Sequence, residues 1–250
     1  MGNQQSGTGS KSPLGGPWIG LFSGGKDSSF AVYQALEAGL PVERLVTVHP
    51  PEDSYLYHVP ATSVTGLAAS SIGISHMEID ARSATTDSAD STERGAVEIE
   101  PLQQAIRNLE CDPEGFVIGA VESEYQRDRI EALATEFGAD IFAPLWGAEP
   151  VTTLRTMHAD GFEIVVLSVS AAGFDATWLG RTLDGDAIDD LESLAEGYGV
   201  HPMGEGGEFE TFVTDGPHMS RSIVLEGAPE WRDDRGRYVV TEARLEPPAP

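Results

Sequence analysis

Short apolar runs alternate with amphipathic, helix-length segments over the first 146 residues of this 250-residue chain. Apolar residues at a spacing of three to four predict helices, and short, near-continuous apolar runs predict buried strands. The pattern predicts five strands, at 18–22, 45–48, 74–79, 115–121 and 140–146, and four helices, at 28–40, 62–72, 97–109 and 123–137. The polar stretch 81–95 interrupts this alternation and predicts a surface loop.

Strands that alternate with helices and are apolar along their whole length are typical of a parallel sheet covered on both faces. The fold class predicted for residues 17–146 is therefore α/β, with a Rossmann-like parallel sheet and helices on both faces. Ligands of such sheets bind at the carboxyl ends of the strands. The loops that follow the strands therefore become the candidate site.

The pattern changes after residue 146, where helices no longer alternate regularly with strands. It predicts a helix, a β-branched strand, an acidic helix, a glycine-rich segment and two late strands, at 152–160, 162–169, 187–198, 204–217, 222–225 and 238–245. We therefore expect a smaller α+β domain over 147–246. Residues 1–16 contain almost no apolar side chains and predict a disordered tail.

The loop after the first strand reads SGGKDS, residues 23–28. Gly24 and Gly25 allow a sharp turn and a close approach to a ligand. The start of the following helix offers unpaired N–H groups and a positive dipole end, and Lys26 adds a full charge. Asp27 suits either a Mg²⁺ ligand or the helix start. A phosphate chain needs this combination, although the spacing is not that of a Walker A loop.

The charge sum is strongly acidic, since 15 Lys and Arg oppose 41 Asp and Glu, a net charge of −26. Such an excess disfavours direct binding of nucleic acid. It suits either a cytoplasm of molar salt, where self-repulsion is screened, or a specific basic partner. Lys11 and Lys26 are the two lysines of the chain, so one of them lies in the candidate phosphate loop.

Other classes of protein are also disfavoured by composition. No apolar run approaches the ~20 residues that span a bilayer, and the start of the chain lacks a basic, apolar signal segment. We therefore expect a cytoplasmic protein without a membrane anchor. Cys111 is the single cysteine, which excludes internal disulfides and CxxC sites.

The SGGKDS loop resembles the PP-loop of the ATP pyrophosphatase superfamily, the adenine nucleotide alpha hydrolase-like fold. Further segments resemble the diphthine–ammonia ligase family within it; they are DSYLYH at 53–58, GA at 119–120 with Ser123, Tyr125, Gln126 and Arg129, PLW at 144–146, WLGR at 178–181, GEGGEFET at 204–211 and DGP at 215–217. The octapeptide GEGGEFET is the most specific of these marks. The chain departs from the family at Phe209, where tyrosine is frequent.

The resemblance implies a defined reaction, the ATP-dependent amidation of diphthine on translation elongation factor 2 by ammonium. An acyl-adenylate would form first and be opened by ammonia, which yields diphthamide, AMP and pyrophosphate. ATP and Mg²⁺ are the implied cofactors, and diphthine-bearing elongation factor 2 is the implied partner. A homodimer is compatible with the sequence, which does not determine the oligomeric state.

The resemblance also implies roles for individual residues. The β- and γ-phosphates would be held by Ser23, Gly24, Gly25, Lys26 and Ser28, with Asp27 orienting the loop or Mg²⁺. The backbone near His49 and Gly119 would receive adenine and ribose. Side chains at one helix start, Ser123, Gln126 and Arg129, would face the nucleotide, with Arg129 near the α-phosphate.

The acidic motif carries the remaining chemistry. Glu205, Glu208 and Glu210 place three carboxylates within six residues. They would either bind and deprotonate ammonium or receive the trimethylammonio group of diphthine. Two other functions stay open at this point, a PP-loop RNA-modifying enzyme and a non-catalytic nucleotide-binding protein.

Overall fold

The computed structural model describes residues 16–49, 64–81, 91–110, 112–121 and 124–247, and for 91–98 and 124–126 the backbone alone. The expectations for the tail, for the segment 53–58, for Cys111 and for Ser123 lie outside the described residues. Among those that are described, no helix combines the length and apolar character that a bilayer crossing requires.

The first sheet is parallel and has five strands, in the order β3-β2-β1-β4-β5. Its strands are β1 (Trp18–Leu21), β2 (Val42–His49), β3 (Ser75–Asp80), β4 (Gly115–Val117) and β5 (Asp140–Phe142). The helices that connect them are α1 (Lys26–Glu37), α2 (Thr65–Ile72), α3 (Ser91–Arg107) and α4 (Glu124–Phe137). The predicted fold class is confirmed, because the five strands pair in parallel through helical crossovers; the central strands β1 and β4 are mostly buried, whereas the edge strands β3 and β5 are mostly exposed or half-buried.

The helices divide between the two faces of this sheet. Buried residues of α1 and α2 pack in one cluster with Val42, Leu45 and Val117. Buried residues of α3 and α4 pack in another cluster with Val46, Phe116 and Ile118. Neighbouring strand residues thus serve opposite faces, as the two-residue period of a strand requires.

The second sheet is antiparallel, with the order β7-β6-β9-β8. Its strands are β6 (Glu163–Val169), β7 (Phe209–Asp215), β8 (Ile223–Arg232) and β9 (Arg235–Leu245), and its helices are α5 (Pro150–Ala159) and α6 (Gly185–Tyr198). The acidic helix and the late strands are confirmed, and β8 and β9 extend well beyond their predicted length. Strand β7 was not predicted, because its first residues belong to the glycine-rich segment.

One predicted loop is wrong in part. Residues 91–95 form the first turns of α3, although the polar stretch 81–95 predicted a surface loop. Ile99, Leu102 and Ile106 bury the later part of α3 against the sheet. A helix anchored in this way extends into polar residues at low cost, since propagation is far easier than nucleation.

Helix α1 lies between the two sheets. Its residue Phe30 packs with Phe162 of the second part of the chain, at a ring-centroid distance of 5.4 Å. On another side of α1, Val32 shares a cluster with Leu167 and Phe212. The two parts of the chain therefore share apolar cores, while the domain boundary at 146/147 stays a prediction.

Candidate active site

The phosphate loop connects β1 to α1 and is folded back on itself by its own serines. The Ser23 backbone N–H donates to Ser28 Oγ at 3.2 Å, and the two serine hydroxyls lie 3.1 Å apart. Ser28 Oγ in turn donates to the Gly25 carbonyl at 3.2 Å. Gly24 adopts a φ of +77°, a left-handed conformation that glycine reaches without strain. The sequence thus builds the loop locally, through two glycines and a pair of serines.

Strand β7 of the second sheet packs against this loop. The Val213 backbone N–H donates to the Gly24 carbonyl at 2.9 Å. Two residues earlier, Thr211 Oγ1 accepts a hydrogen bond from the Lys26 backbone N–H at 3.2 Å. A Cβ at Gly25 would lie 3.2 Å from the Thr211 carbonyl oxygen, so the two backbones are in close contact. The second sheet therefore holds the loop at both ends of its glycine pair.

Lys26 joins the loop to the acidic motif. The side chain is only 3% exposed, and its ammonium group donates to the Met203 carbonyl at 2.5 Å. The same group donates to Asp27 Oδ2 at 2.9 Å and lies 5.2 Å from the centroid of the Phe209 ring. A buried ammonium group requires such partners, since an unpaired charge in the interior is costly. The cation assigned to phosphate thus lies where both parts of the chain meet.

A narrow cleft opens at this junction. It is lined by Ser23, Gly25, Lys26, Asp27, Met203, Gly204, Glu205, Phe209, Glu210 and Thr211. Residues that are about 180 positions apart in the chain therefore face one another. The structure brings the phosphate loop and the GEGGEFET motif together, as one shared site requires.

The three carboxylates of the motif have different positions. Glu205 and Glu210 line the cleft. Glu208 is not among the lining residues, and its Oε1 accepts a hydrogen bond from the His201 backbone N–H at 3.1 Å. Gly204 has a φ of +71° and its carbonyl accepts from the Gly207 N–H, which closes the turn between them. Glu208 therefore shapes the turn that presents the other two carboxylates.

Gly119 packs directly against the start of α1. A Cβ there would lie 2.5 Å from the Asp27 carbonyl carbon and from the Ser28 backbone nitrogen. Such a distance is far inside van der Waals contact, so only glycine fits without a shift of the backbone. Gly119 is therefore in close contact with the start of α1, and its assignment to adenine and ribose stays a prediction.

Two further described residues assigned to the nucleotide, His49 and Arg129, are not among those that line this cleft. His49 ends β2, and its Nε2 lies 3.0 Å from Glu78 Oε2. Arg129 lies half-buried in α4, and Gln126 belongs to the same helix. Their assignment to the nucleotide stays a prediction.

A polar chain supports the loop from the side of the first sheet. Thr47 is fully buried in β2, and its hydroxyl donates to the Phe22 carbonyl at 2.6 Å. Since that hydrogen is already donated to Phe22, Thr47 accepts from His76 Nε2, 2.8 Å away, so this ring nitrogen carries a hydrogen. Burial lowers the pKa of His76, with Glu78 acting in the opposite direction. Phe22 directly precedes the phosphate loop, so this chain helps to set where the loop begins.

Two contributors to the site were not recognised from the sequence, the Met203 carbonyl and the Thr211 hydroxyl. A backbone carbonyl has no sequence signal at all. Thr211 did have a sequence signal, because the run FETFVTD is rich in aromatic and β-branched residues and is typical of a strand. A strand there would have placed alternate side chains of the motif on opposite faces.

Comparison with known proteins was made for the sequence and for the fold. Residues 17–140 match the family model of the diphthamide synthase N-terminal domain, and 149–245 match that of the diphthamide synthase C-terminal domain. A diphthine–ammonia ligase of Danio rerio is 32% identical over 220 residues, which cover 83% of this chain and 86% of the relative. One of Homo sapiens is 30% identical over 220 residues, covering 83% and 82%.

A solved structure of a predicted tRNA methyltransferase subunit from Methanocaldococcus jannaschii aligns with 80% of this chain and 98% of its own. Its sequence identity is 16% and its TM-score is 0.41, a likeness from which nothing about this chain follows. The two family models, by contrast, cover the chain from β1 to β9, and the resemblance seen in the motifs is confirmed. The chain belongs to the diphthamide synthase family.

Proposed function

We propose that this chain amidates diphthine on translation elongation factor 2, using ammonium and ATP and releasing AMP and pyrophosphate. The observation that carries the proposal is the shared cleft, in which the phosphate loop faces the GEGGEFET motif. Lys26 links the two through its contact with the Met203 carbonyl. Membership of the diphthamide synthase family supports the same reaction, as do relatives that are diphthine–ammonia ligases.

The loop fits a phosphate chain. In the first turn of α1, the backbone N–H groups of Asp27 and Ser28 have no partner within the helix, and the dipole of α1 favours an anion there. The ammonium group of Lys26 is within the same cleft. We assign the β- and γ-phosphates of ATP to Ser23, Gly24, Gly25, Lys26 and Ser28. Adenine and ribose would follow along the strand ends towards Gly119 and His49.

Asp27 fits a magnesium ion. Its Oδ2 pairs with Lys26, whereas its buried Oδ1 has no hydrogen-bond partner in the structure. Mg²⁺ bound to nucleotides takes one or two carboxylates, with phosphate oxygens and water completing its shell. Bound beside Asp27, it would neutralise charge on the phosphates.

The chemistry follows from the properties of a carboxylate, which is a poor electrophile until its oxygen becomes a leaving group. The diphthine carboxylate would attack the α-phosphate and displace pyrophosphate, which gives an acyl-adenylate. Ammonia would then attack the acyl carbon, forming the amide bond and releasing AMP. The protein contributes chiefly by positioning the reactants and neutralising charge.

We assign the action on the second substrate to Glu205 and Glu210, because both line the cleft that the phosphate loop also lines. Either they bind ammonium and remove its proton, or they receive the trimethylammonio group of diphthine. Both uses need an anion that faces the cleft. Glu208 would act indirectly, through the turn that it stabilises at the His201 backbone.

The test is an amidation assay in high KCl with isotopically labelled ammonium, ATP and diphthine-bearing elongation factor 2. We expect label in the factor by mass spectrometry, with AMP and pyrophosphate formed in equal amounts. ATP binding without AMP or labelled factor would refute the proposal. Glu205→Gln and Glu210→Gln should each lower turnover about a hundredfold. Glu230→Gln, on the exposed part of β8, is the matched control and should retain full turnover.

A further inference from the structure

The side chain of Thr211, in the second sheet, hydrogen-bonds to the backbone of the phosphate loop. Its hydroxyl oxygen accepts from the Lys26 N–H at 3.2 Å, and the residue is 6% exposed. Lys26 is the first residue of α1, so this bond acts at the helix start itself. Gly25 precedes the helix and provides no side-chain cap. Thr211 therefore supplies, from a distant strand, a partner for one of the N–H groups at the helix start that have none within the helix.

The contact belongs to a rigid arrangement. Thr211 lies on β7, an edge strand of the second sheet, and its backbone pairs with Val166 of the neighbouring strand β6. Two residues further on, the Val213 N–H holds the Gly24 carbonyl at 2.9 Å. Between these two bonds, Phe212 lies beneath Gly24, where a Cβ would meet its ring at 2.6 Å. Movement of the loop away from β7 would break both hydrogen bonds at once.

We infer that Thr211 is a positioning residue for the phosphate loop, and the inference rests on the proposed use of ATP. By holding the Lys26 N–H, it fixes the direction in which the following N–H groups of Asp27 and Ser28 point. Those groups are assigned to the β- and γ-phosphates, which ATP has and AMP lacks. Loss of the Thr211 hydroxyl should therefore weaken the binding of ATP and leave that of AMP nearly unchanged. A merely structural role would alter both affinities alike, or neither.

The strand offers a matched control in Thr214. It is 7% exposed, and its hydroxyl donates to the Glu163 carbonyl at 3.2 Å, within the second sheet and away from the loop. Thr211→Val and Thr214→Val each remove one buried hydroxyl from β7 and keep the shape of the side chain. Both should lower the melting temperature to a similar extent.

The experiment measures the dissociation constants of ATP and AMP by calorimetry, with melting temperatures from circular dichroism. We expect Thr211→Val to raise the dissociation constant of ATP about tenfold, as for one lost buried hydrogen bond. That of AMP should change by less than about twofold, and Thr214→Val should leave both within that margin. Thr211→Ser and Thr211→Ala differ only in the hydroxyl. ATP affinity should therefore be retained in Thr211→Ser and lowered about tenfold in Thr211→Ala. This pair decides the question if Thr211→Val fails to fold.

Equal ATP affinity of the Ser and Ala variants, or parallel losses of ATP and AMP binding, would overturn the role of Thr211. Neither result would touch the amidation reaction, which the labelled-ammonium assay tests. Conversely, a wild-type chain that binds ATP but forms no amide would refute the proposed function. The ATP-specific loss in Thr211→Val would still support the positioning role. A wild-type chain that binds no ATP would overturn both.

Discussion

Replacement of Gly119 by alanine tests the contact between the segment that follows strand β4 and the start of α1. The added Cβ would lie 2.5 Å from the Asp27 carbonyl carbon and the Ser28 nitrogen, and 2.7 Å from the Asp27 carbonyl oxygen. All three are backbone atoms, so no flexible side chain can move away. Reaching ordinary contact requires a displacement of roughly 0.9 Å, which falls on the start of α1.

The expected magnitudes follow from that displacement. Overpacking of a well-packed interior costs about 1–3 kcal/mol, which lowers the melting temperature of a chain of this size by about 2–12 °C. A misplacement near 1 Å of groups that position a substrate costs about a hundredfold in rate. We therefore expect ATP-dependent AMP formation to fall about a hundredfold while the variant still folds.

The assay compares AMP formation and thermal unfolding in Gly119→Ala and in Gly197→Ala. Gly197 lies near the end of α6, where a Cβ would meet nothing within 4 Å. Alanine there should stabilise the helix by about 0.5–1 kcal/mol and leave turnover unchanged. The reasoning would be refuted by wild-type AMP formation in Gly119→Ala, or by equal behaviour of the two variants.

Three further outcomes are expected. Lys26→Met should abolish pyrophosphate release and also lower the free energy of unfolding by about 1–3 kcal/mol, since it leaves the buried Met203 carbonyl without its donor. Full release, or an unchanged urea midpoint, would contradict this dual role. Burial lowers the pKa of His218 to about 4, against the opposing effect of Asp215, so the folded state keeps the ring neutral. The free energy of unfolding should therefore fall as pH drops from about 6.5 towards 4, by up to about 1.4 kcal/mol per pH unit from this group. His218→Phe, which retains the ring packing on Phe162, should flatten that slope in urea titrations at pH 7 and 5; an equal slope in both proteins would be the opposing result. Raising KCl should increase the melting temperature, because a net charge of −26 repels itself less when screened. Sucrose at equal osmolality is the control. A melting temperature that does not change with KCl would contradict screening of self-repulsion as the explanation of the acidic charge.

The fold of the first part of the chain was predictable because its signals are local. Apolar runs and helical spacing each extend over fewer than 20 residues, and the order of strands and helices in the chain implies parallel pairing. The phosphate loop was predictable for the same reason, since SGGKDS lies between one strand and one helix. The wrong part of the prediction, the loop at 91–95, was also local. Its polar composition predicted a loop, but the apolar anchoring of the rest of α3 extended the helix through it.

The composition of the cleft was not predictable, because it depends on contacts between residues about 180 positions apart. The sequence alone determined the parallel sheet and the loop, through residues close together in the chain, and the family, through short motifs distributed along it. Only the tertiary structure decided that Lys26 meets Met203, that Thr211 holds the start of α1, and that Glu205 and Glu210 line the cleft. The physical reason is the packing of the second sheet on α1, whose two buried sides join the cores of both parts of the chain. Such packing is set by the complementarity of whole surfaces, which no short segment of sequence contains.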